Sequence, residues 1–208
     1  MHSNTYKSFE LFFIFILIPI SFTLPYSLIL KMCIGVIGFI YVIFVLLKLE
    51  KLKFKIASNL NWKVFWKEIL VKFFIISIVT SLFIWFTEKE LLFKVIKNKP
   101  MLWVMILFIY TFLSVYPQEL IYRTFFFQRY QCLVKNETFF LFLNAIIFSL
   151  GHIFFNNSLV TILTFLGGLL FAITYKKTSS TILVSIEHAI YGCWLFTVGM
   201  GNMLGFPS

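Results

Sequence analysis

Glu119 and Arg123, with the imidazoles of His152 and His188, are the groups in this sequence equipped to do chemistry. The first two, four residues apart, fall on one helical face, where a carboxylate and a guanidinium can pair. His152 closes the stretch Phe148-Ser149-Leu150-Gly151-His152, with Asn144 two turns earlier on the face of Phe148. His188 follows Glu187 in Ser185-Ile186-Glu187-His188-Ala189-Ile190-Tyr191-Gly192-Cys193. Together they hold the parts of a hydrolytic site: a carboxylate or imidazole to take a proton from water, and an imidazole or metal to stabilise an oxyanion. Taken singly, each has a plainer reading. Glu119 and Arg123 can be a structural ion pair, a solitary histidine on an apolar helix is more often a satisfied core residue, and Glu187 can be an ordinary interfacial charge. As a set they weigh more, because separate burial of these charges would cost several kcal/mol each, whereas convergence on one polar cavity costs less.

The elements that position these groups are membrane helices. Of 208 residues 61% are hydrophobic and 12% charged, 29 are Phe, and the mean hydropathy is +0.95, far outside the soluble range. Apolar runs occur at 9–24, 26–47, 69–86, 101–116, 139–155, 159–175 and 181–198, and an eighth helical piece, 118–130, mixes polar with aromatic residues. These lengths suit helices rather than barrel strands, so the expectation is an all-α polytopic bundle of seven to eight membrane helices. Residues 1–100 would be accessory N-terminal helices, 101–199 the functional core and 200–208 a tail. A break at Pro117 between 101–116 and 118–130 must redirect the chain, or the helix at 139–155 must begin deeper, since otherwise Glu119 and His152 lie at different depths. Thr164, Gly168 and Ala172, spaced by four, form a small-residue stripe that lets a second helix approach closely.

The net charge of +10 could point to nucleic acid, but the lysines stand at the ends of apolar runs, where they set topology. With the 48–67 segment inside, Lys7, Lys48, Lys51, Lys53, Lys55, Lys63, Lys67, Lys72, Arg123, Arg129, Lys135, Lys176 and Lys177 share the cytoplasmic side, and five lysines lie outside. The reading is a multi-pass cell-membrane protein with a cytoplasmic N-terminus and no nucleic-acid partner. Lys7 before the first apolar run suggests a signal peptide, but no small-residue cleavage site follows, so the run reads as a retained span. Cys33, Cys132 and Cys193 are odd in number, widely spaced and without a CxxC, and read as apolar packing residues.

In order and spacing these motifs resemble the CPBP (Abi) family of intramembrane proteases, which includes the CAAX prenyl endopeptidases of the Rce type. Gln118-Glu119 through Arg123 is similar to its Glu-Glu-x-x-x-Arg motif, Phe148 through His152 to Phe-x-x-x-His, and His188 opens a motif of the form His-x-x-x-Asn/Asp. The resemblance covers roughly 101–199. It implies an intramembrane endopeptidase in which Glu119, helped by His152, activates water, Arg123 holds Glu119 ionised, and His188 binds metal or stabilises the oxyanion. A set of Glu119, His152 and His188 could ligate zinc, though no HExxH is present. Gln118 stands where the family has a second carboxylate, and Gly192 where it has Asn or Asp, a place that Ser185, Asn144 or a backbone N–H could fill.

The partners implied are a peptide or membrane-protein substrate and the lipid bilayer. Two alternatives remain at this stage. Gln118 and Gly192 also suit a non-catalytic scaffold or immunity-type protein that binds peptide on the same fold, and a polar cluster in a membrane could belong to a small proton-coupled transporter, though no inverted repeat supports that.

Overall fold

The computed structural model describes residues 3–52 and 56–205, so Lys53, Lys55 and the last three residues of the tail lie outside the described residues. The chain is all-α. Among the described residues eight helices follow one another: α1 (4–21), α2 (Leu28–Leu49), α3 (Trp62–Thr87), the short α4 (Lys94–Asn98), α5 (Pro100–Leu133), α6 (Glu137–Leu150), α7 (Ser158–Thr178) and α8 (Thr181–Val198). Six of them, α2, α3 and α5 to α8 (α6 with its extension to Phe155), are long and apolar enough to cross a membrane. Their starts are set by side-chain caps that satisfy the first free N–H groups: Ser27 before α2, Asn61 before α3, Asn136 before α6, Asn157 before α7 and Ser180 before α8. Polarity is distributed as lipid requires, with Ile29, Phe86 and Leu113 exposed and Glu119, Arg123 and Glu187 fully buried.

Residues 101–116 and 118–130, expected as two pieces, form one helix. Pro117 does not break it. A proline inside a helix lacks its own N–H and crowds the carbonyl four residues earlier; here the preceding residues Tyr110–Val115 widen into a π turn that makes room, and Leu120–Phe125 forms a second. Pro19 in α1 is accommodated in the same way, by a π turn over Phe13–Leu17. The continuous α5 also removes the depth conflict. Glu119 lies 14 residues before Leu133, and His152 lies 15 after Glu137 across the short connecting turn. At about 1.5 Å per residue both stand some 21–23 Å from that turn, at one level.

α8 runs antiparallel to α5, pinned by hydrogen bonds from Trp103 to Thr197 (3.0 Å) and between Thr124 and Thr181 (2.5 Å). α6 and α7 pack closely at the small-residue stripe, where a Cβ on Gly168 would come within 3.1 Å of Ala145 Cα. Two charged clamps fasten the remaining helices. Arg129 of α5 holds Glu10 of α1 at 2.8 Å and Glu50, just after α2, at 2.8 Å, and Tyr130 donates to Glu10 at 3.0 Å. Lys72 of α3 holds Glu187 of α8 at 2.8 Å, with Tyr191 donating to the same carboxylate at 2.9 Å. Glu187 is therefore a fully buried ion-pair member and not an interfacial charge; a lysine from a helix distant in sequence draws it inward. All three cysteines are free, and Cys33 and Cys132 are exposed, so the packing role applies only to Cys193.

Candidate active site

Three helices deliver the predicted residues to one place. α5 carries Glu119 and Arg123, α8 carries His188, and the turn after α6 carries His152. Glu119 Oε1 accepts from His188 Nδ1 at 2.7 Å, and its Oε2 lies 3.3 Å from Arg123 Nε. The guanidinium donates to the Gly168 carbonyl at 3.3 Å and lies 4.6 Å over the Phe148 ring, so ionic, hydrogen-bonding and cation–π contacts share its burial. His188 stacks on Phe171 with ring centroids 4.3 Å apart, and its Nε2 lies 3.1 Å from the Tyr110 hydroxyl.

His152 is held differently. Its Nδ1 lies 2.8 Å from the carbonyl of Phe148, an acceptor only, so Nδ1 carries the hydrogen and Nε2 keeps its lone pair in the neutral ring. This bond also satisfies a carbonyl at the end of α6, where the helix has run out of donors. The Phe148 ring lies between the two imidazoles, 4.7 Å from His152 and 5.7 Å from His188 by centroid. Asn144 donates to the carbonyl of Tyr122 at 2.6 Å, satisfying backbone inside the second π turn, and so supports α5 rather than standing in for a side chain at position 192. Ser185 does not line the cavity either.

A cavity of about 600 Å³ opens at this cluster, with walls that are mostly apolar. His152 and His188 line it, as do Tyr110, Ser114, Gln118 and Tyr122, but Glu119 and Arg123 do not. Gln118 donates to Ser114 at 2.7 Å, and its carbonyl oxygen has no protein partner among the described residues. So the carboxylate expected to meet water lies behind His188, and the residue beside it in sequence, an amide, forms the wall. The family-implied zinc ion does not suit this arrangement. Glu119 Oε1 and both His188 nitrogens are hydrogen-bonded within the protein, Glu119 Oε2 faces the Arg123 guanidinium at 3.3 Å, and among the described residues no group of three or more His, Cys, Asp or Glu side chains is placed to hold a metal.

Tyr110 was missed at the sequence level. The signal available was a stripe: Tyr110, Ser114, Gln118 and Tyr122 recur every four residues along the helix, and all four line the cavity. In a regular helix each four-residue step drifts about 40° around the axis. The two π turns wind less tightly and keep the stripe on one face.

The fold and site thus define a class, a polytopic membrane helix bundle with a buried carboxylate–imidazole pair at an intramembrane cavity. Residues 100–194, just under half the chain, match the profile of the type II CAAX prenyl endopeptidase Rce1-like family. The protein carries a domain of that family, and all three motifs lie inside or begin inside it. Comparison with curated proteins and with solved structures returned no match.

Proposed function

We propose that the cavity is the site of an intramembrane endopeptidase of the CPBP type, with roles adjusted to this geometry. His152 is the general base. Its free Nε2, on a residue lining the cavity and tautomerically fixed by the Phe148 carbonyl, is the observation that carries the reading. Nε2 takes a proton from water, the oxygen adds to the peptide carbonyl, and the same proton passes to the leaving amine as the C–N bond breaks. Glu119 acts from behind, fixing His188 with its Nδ1–H inward and its Nε2 toward the cavity, while Arg123 pairs with the other carboxylate oxygen and orients it. The apolar walls suit a hydrophobic peptide or a segment of a membrane protein. The inside placement of the 48–67 segment and of the N-terminus belongs to the same reading; an impermeant thiol reagent applied to intact cells should label a cysteine at Asn98 and not one at Ser58 in a cysteine-free background.

A second reading is a scaffold that binds peptide without cutting it. The neutral, Ser114-bonded Gln118 in the cavity wall favours it. Turnover of one peptide by purified parent, Gln118→Glu, Glu119→Gln and His152→Ala, each with and without chelator, separates the two. The peptidase reading expects loss of turnover in the last two, a gain of about 10²–10⁴-fold in Gln118→Glu, and no effect of chelator. A parent and a Gln118→Glu variant that bind peptide but leave it whole would establish the scaffold.

A further inference from the structure

Gly192 is a glycine because of what lies against it. A Cβ built there would collide with the hydroxyl, Cε1 and Cζ of Tyr110, so any side chain at 192 would displace that ring. Tyr110 comes from α5, is 8% exposed, packs edge-on to Phe196 at 4.7 Å, and lines the cavity. Its hydroxyl reaches His188 Nε2 at 3.1 Å, and in the neutral ring, whose Nδ1 hydrogen goes to Glu119, the phenol donates to this nitrogen. The other cavity hydroxyls are committed elsewhere or stand apart. Tyr191 donates to Glu187 (2.9 Å), Thr164 to the Val160 carbonyl (2.7 Å) and Thr80 to the Ile76 carbonyl (2.7 Å), while Ser114, which accepts from Gln118, and Tyr122, whose ring approaches Gly151 beside His152, make no hydrogen bond to His188.

We propose that Tyr110 is a catalytic residue: its hydroxyl is the oxyanion donor of this site, brought into the space that the absent side chain at 192 leaves open. The assignment rests on the peptidase reading. In the free protein the phenolic hydrogen rests on His188 Nε2; as the peptide carbonyl becomes tetrahedral, the hydrogen bond turns to the new oxyanion, and no covalent bond to Tyr110 forms. A phenol suits the role. It is neutral at physiological pH, a strong donor, and fixed here by ring packing rather than by a flexible stem. Gly192 and Tyr110 are therefore one device contributed by two helices.

Two measurements on full-length protein in detergent test it: peptide turnover, and the affinities of an uncleaved peptide and of its phosphonate counterpart, whose tetrahedral anion mimics the intermediate. Tyr110→Phe keeps the ring and should keep thermal stability, lower kcat by about 10²–10³-fold with little change in KM, and weaken phosphonate binding while sparing the peptide. Tyr110→Ala should lose the same activity, and adding Gly192→Asn in that background should return about tenfold or more by placing an amide donor in the vacated space. Unchanged kcat in Tyr110→Phe, or equal weakening of peptide and phosphonate, overturns the assignment and leaves the peptidase reading intact. A parent that cuts no peptide removes the peptidase reading, and the Tyr110 assignment falls with it.

Discussion

Glu10–Arg129 and Glu119–Arg123 are both buried glutamate–arginine pairs, and they are built to different ends. Around Arg129 nearly every valence is spent. Two carboxylates share the guanidinium, Tyr41 and Tyr130 donate to Glu10, and the cluster ties α1 and α2 to α5. Around Arg123 the valences are left incomplete: Nη1 has no partner among the described residues, Glu119 shares its charge with an imidazole, and that imidazole opens on a cavity. Burial of charge alone therefore says little about function. What distinguishes a site from a clamp is an adjoining space and polar atoms with capacity left over for a ligand.

The comparison breaks most sharply on turnover. His152→Ala should lower peptide turnover by about 10²–10⁴-fold with thermal stability little changed, since the imidazole is only half-buried and makes one hydrogen bond. Arg129→Ala, at the clamp, should leave turnover per folded molecule at the parent value. Loss of turnover in Arg129→Ala equal to that in His152→Ala would show that the two regions are not separable.

Stability should draw the two regions together instead. Arg123→Ala and Arg129→Ala each leave a buried carboxylate without its cation, a defect of about 3–5 kcal/mol that protonation can relieve in part. Both should accumulate poorly in membranes and melt early in detergent, but only Arg123→Ala should also be inactive in the fraction that folds. Arg123→Ala melting with the parent would mean that water or lipid headgroups reach position 123 despite its full burial.

How much of this was legible in the sequence follows the same division. The all-α membrane fold was readable because apolar runs of span length have few other solutions, and the small-residue stripe and the four ionisable residues were readable because polarity is costly in lipid. The continuity of α5 was not. Pro117 signals a break by its local chemistry, and only the cost of unpaired backbone in a membrane, met by π turns and by Asn144, keeps the helix intact. Partner choice was also hidden. That Lys72 would claim Glu187, and Arg129 would claim Glu10, depends on contacts across more than a hundred residues, which no local pattern encodes. Tyr110 was hidden for a third reason: its meaning depends on an absence, the missing side chain at Gly192, on another helix.

A smaller effect should come from Asn144→Ala, which removes the hydrogen bond to the Tyr122 carbonyl inside the bundle and should cost about 0.5–1.5 kcal/mol. Because that carbonyl lies in the π turn just after Glu119, relaxation of α5 to a tighter helix would rotate Tyr110 and Gln118 relative to His188. Turnover should then fall along with stability. A variant destabilised as expected but fully active would place the π turn outside the mechanism.

The smallest effect sharpens the comparison by adding a third ion pair, one in contact with solvent. Lys177 of α7 donates to both oxygens of Glu68 on α3, at 2.9 and 2.8 Å, with side chains 54% and 38% exposed. The pair joins two helices that both line the cavity, so geometry alone would suggest that it holds the cavity shut. Energetics argue against a large role. An exposed pair gains little Coulomb energy in high dielectric, spends side-chain entropy, and is screened by salt, so Lys177→Ala should cost about 0.2–1 kcal/mol. The Ala57 N–H also donates to the Thr178 carbonyl at 2.8 Å, which fastens the segment before α3 to the end of α7 independently of charge. Melting and turnover of Lys177→Ala should therefore follow the parent, and the small difference should vanish in high salt, whereas the defects of Arg123→Ala and Arg129→Ala should persist there. A salt-insensitive loss at Lys177 as large as at either arginine would show that exposure is the wrong axis on which to rank the charge pairs of this protein.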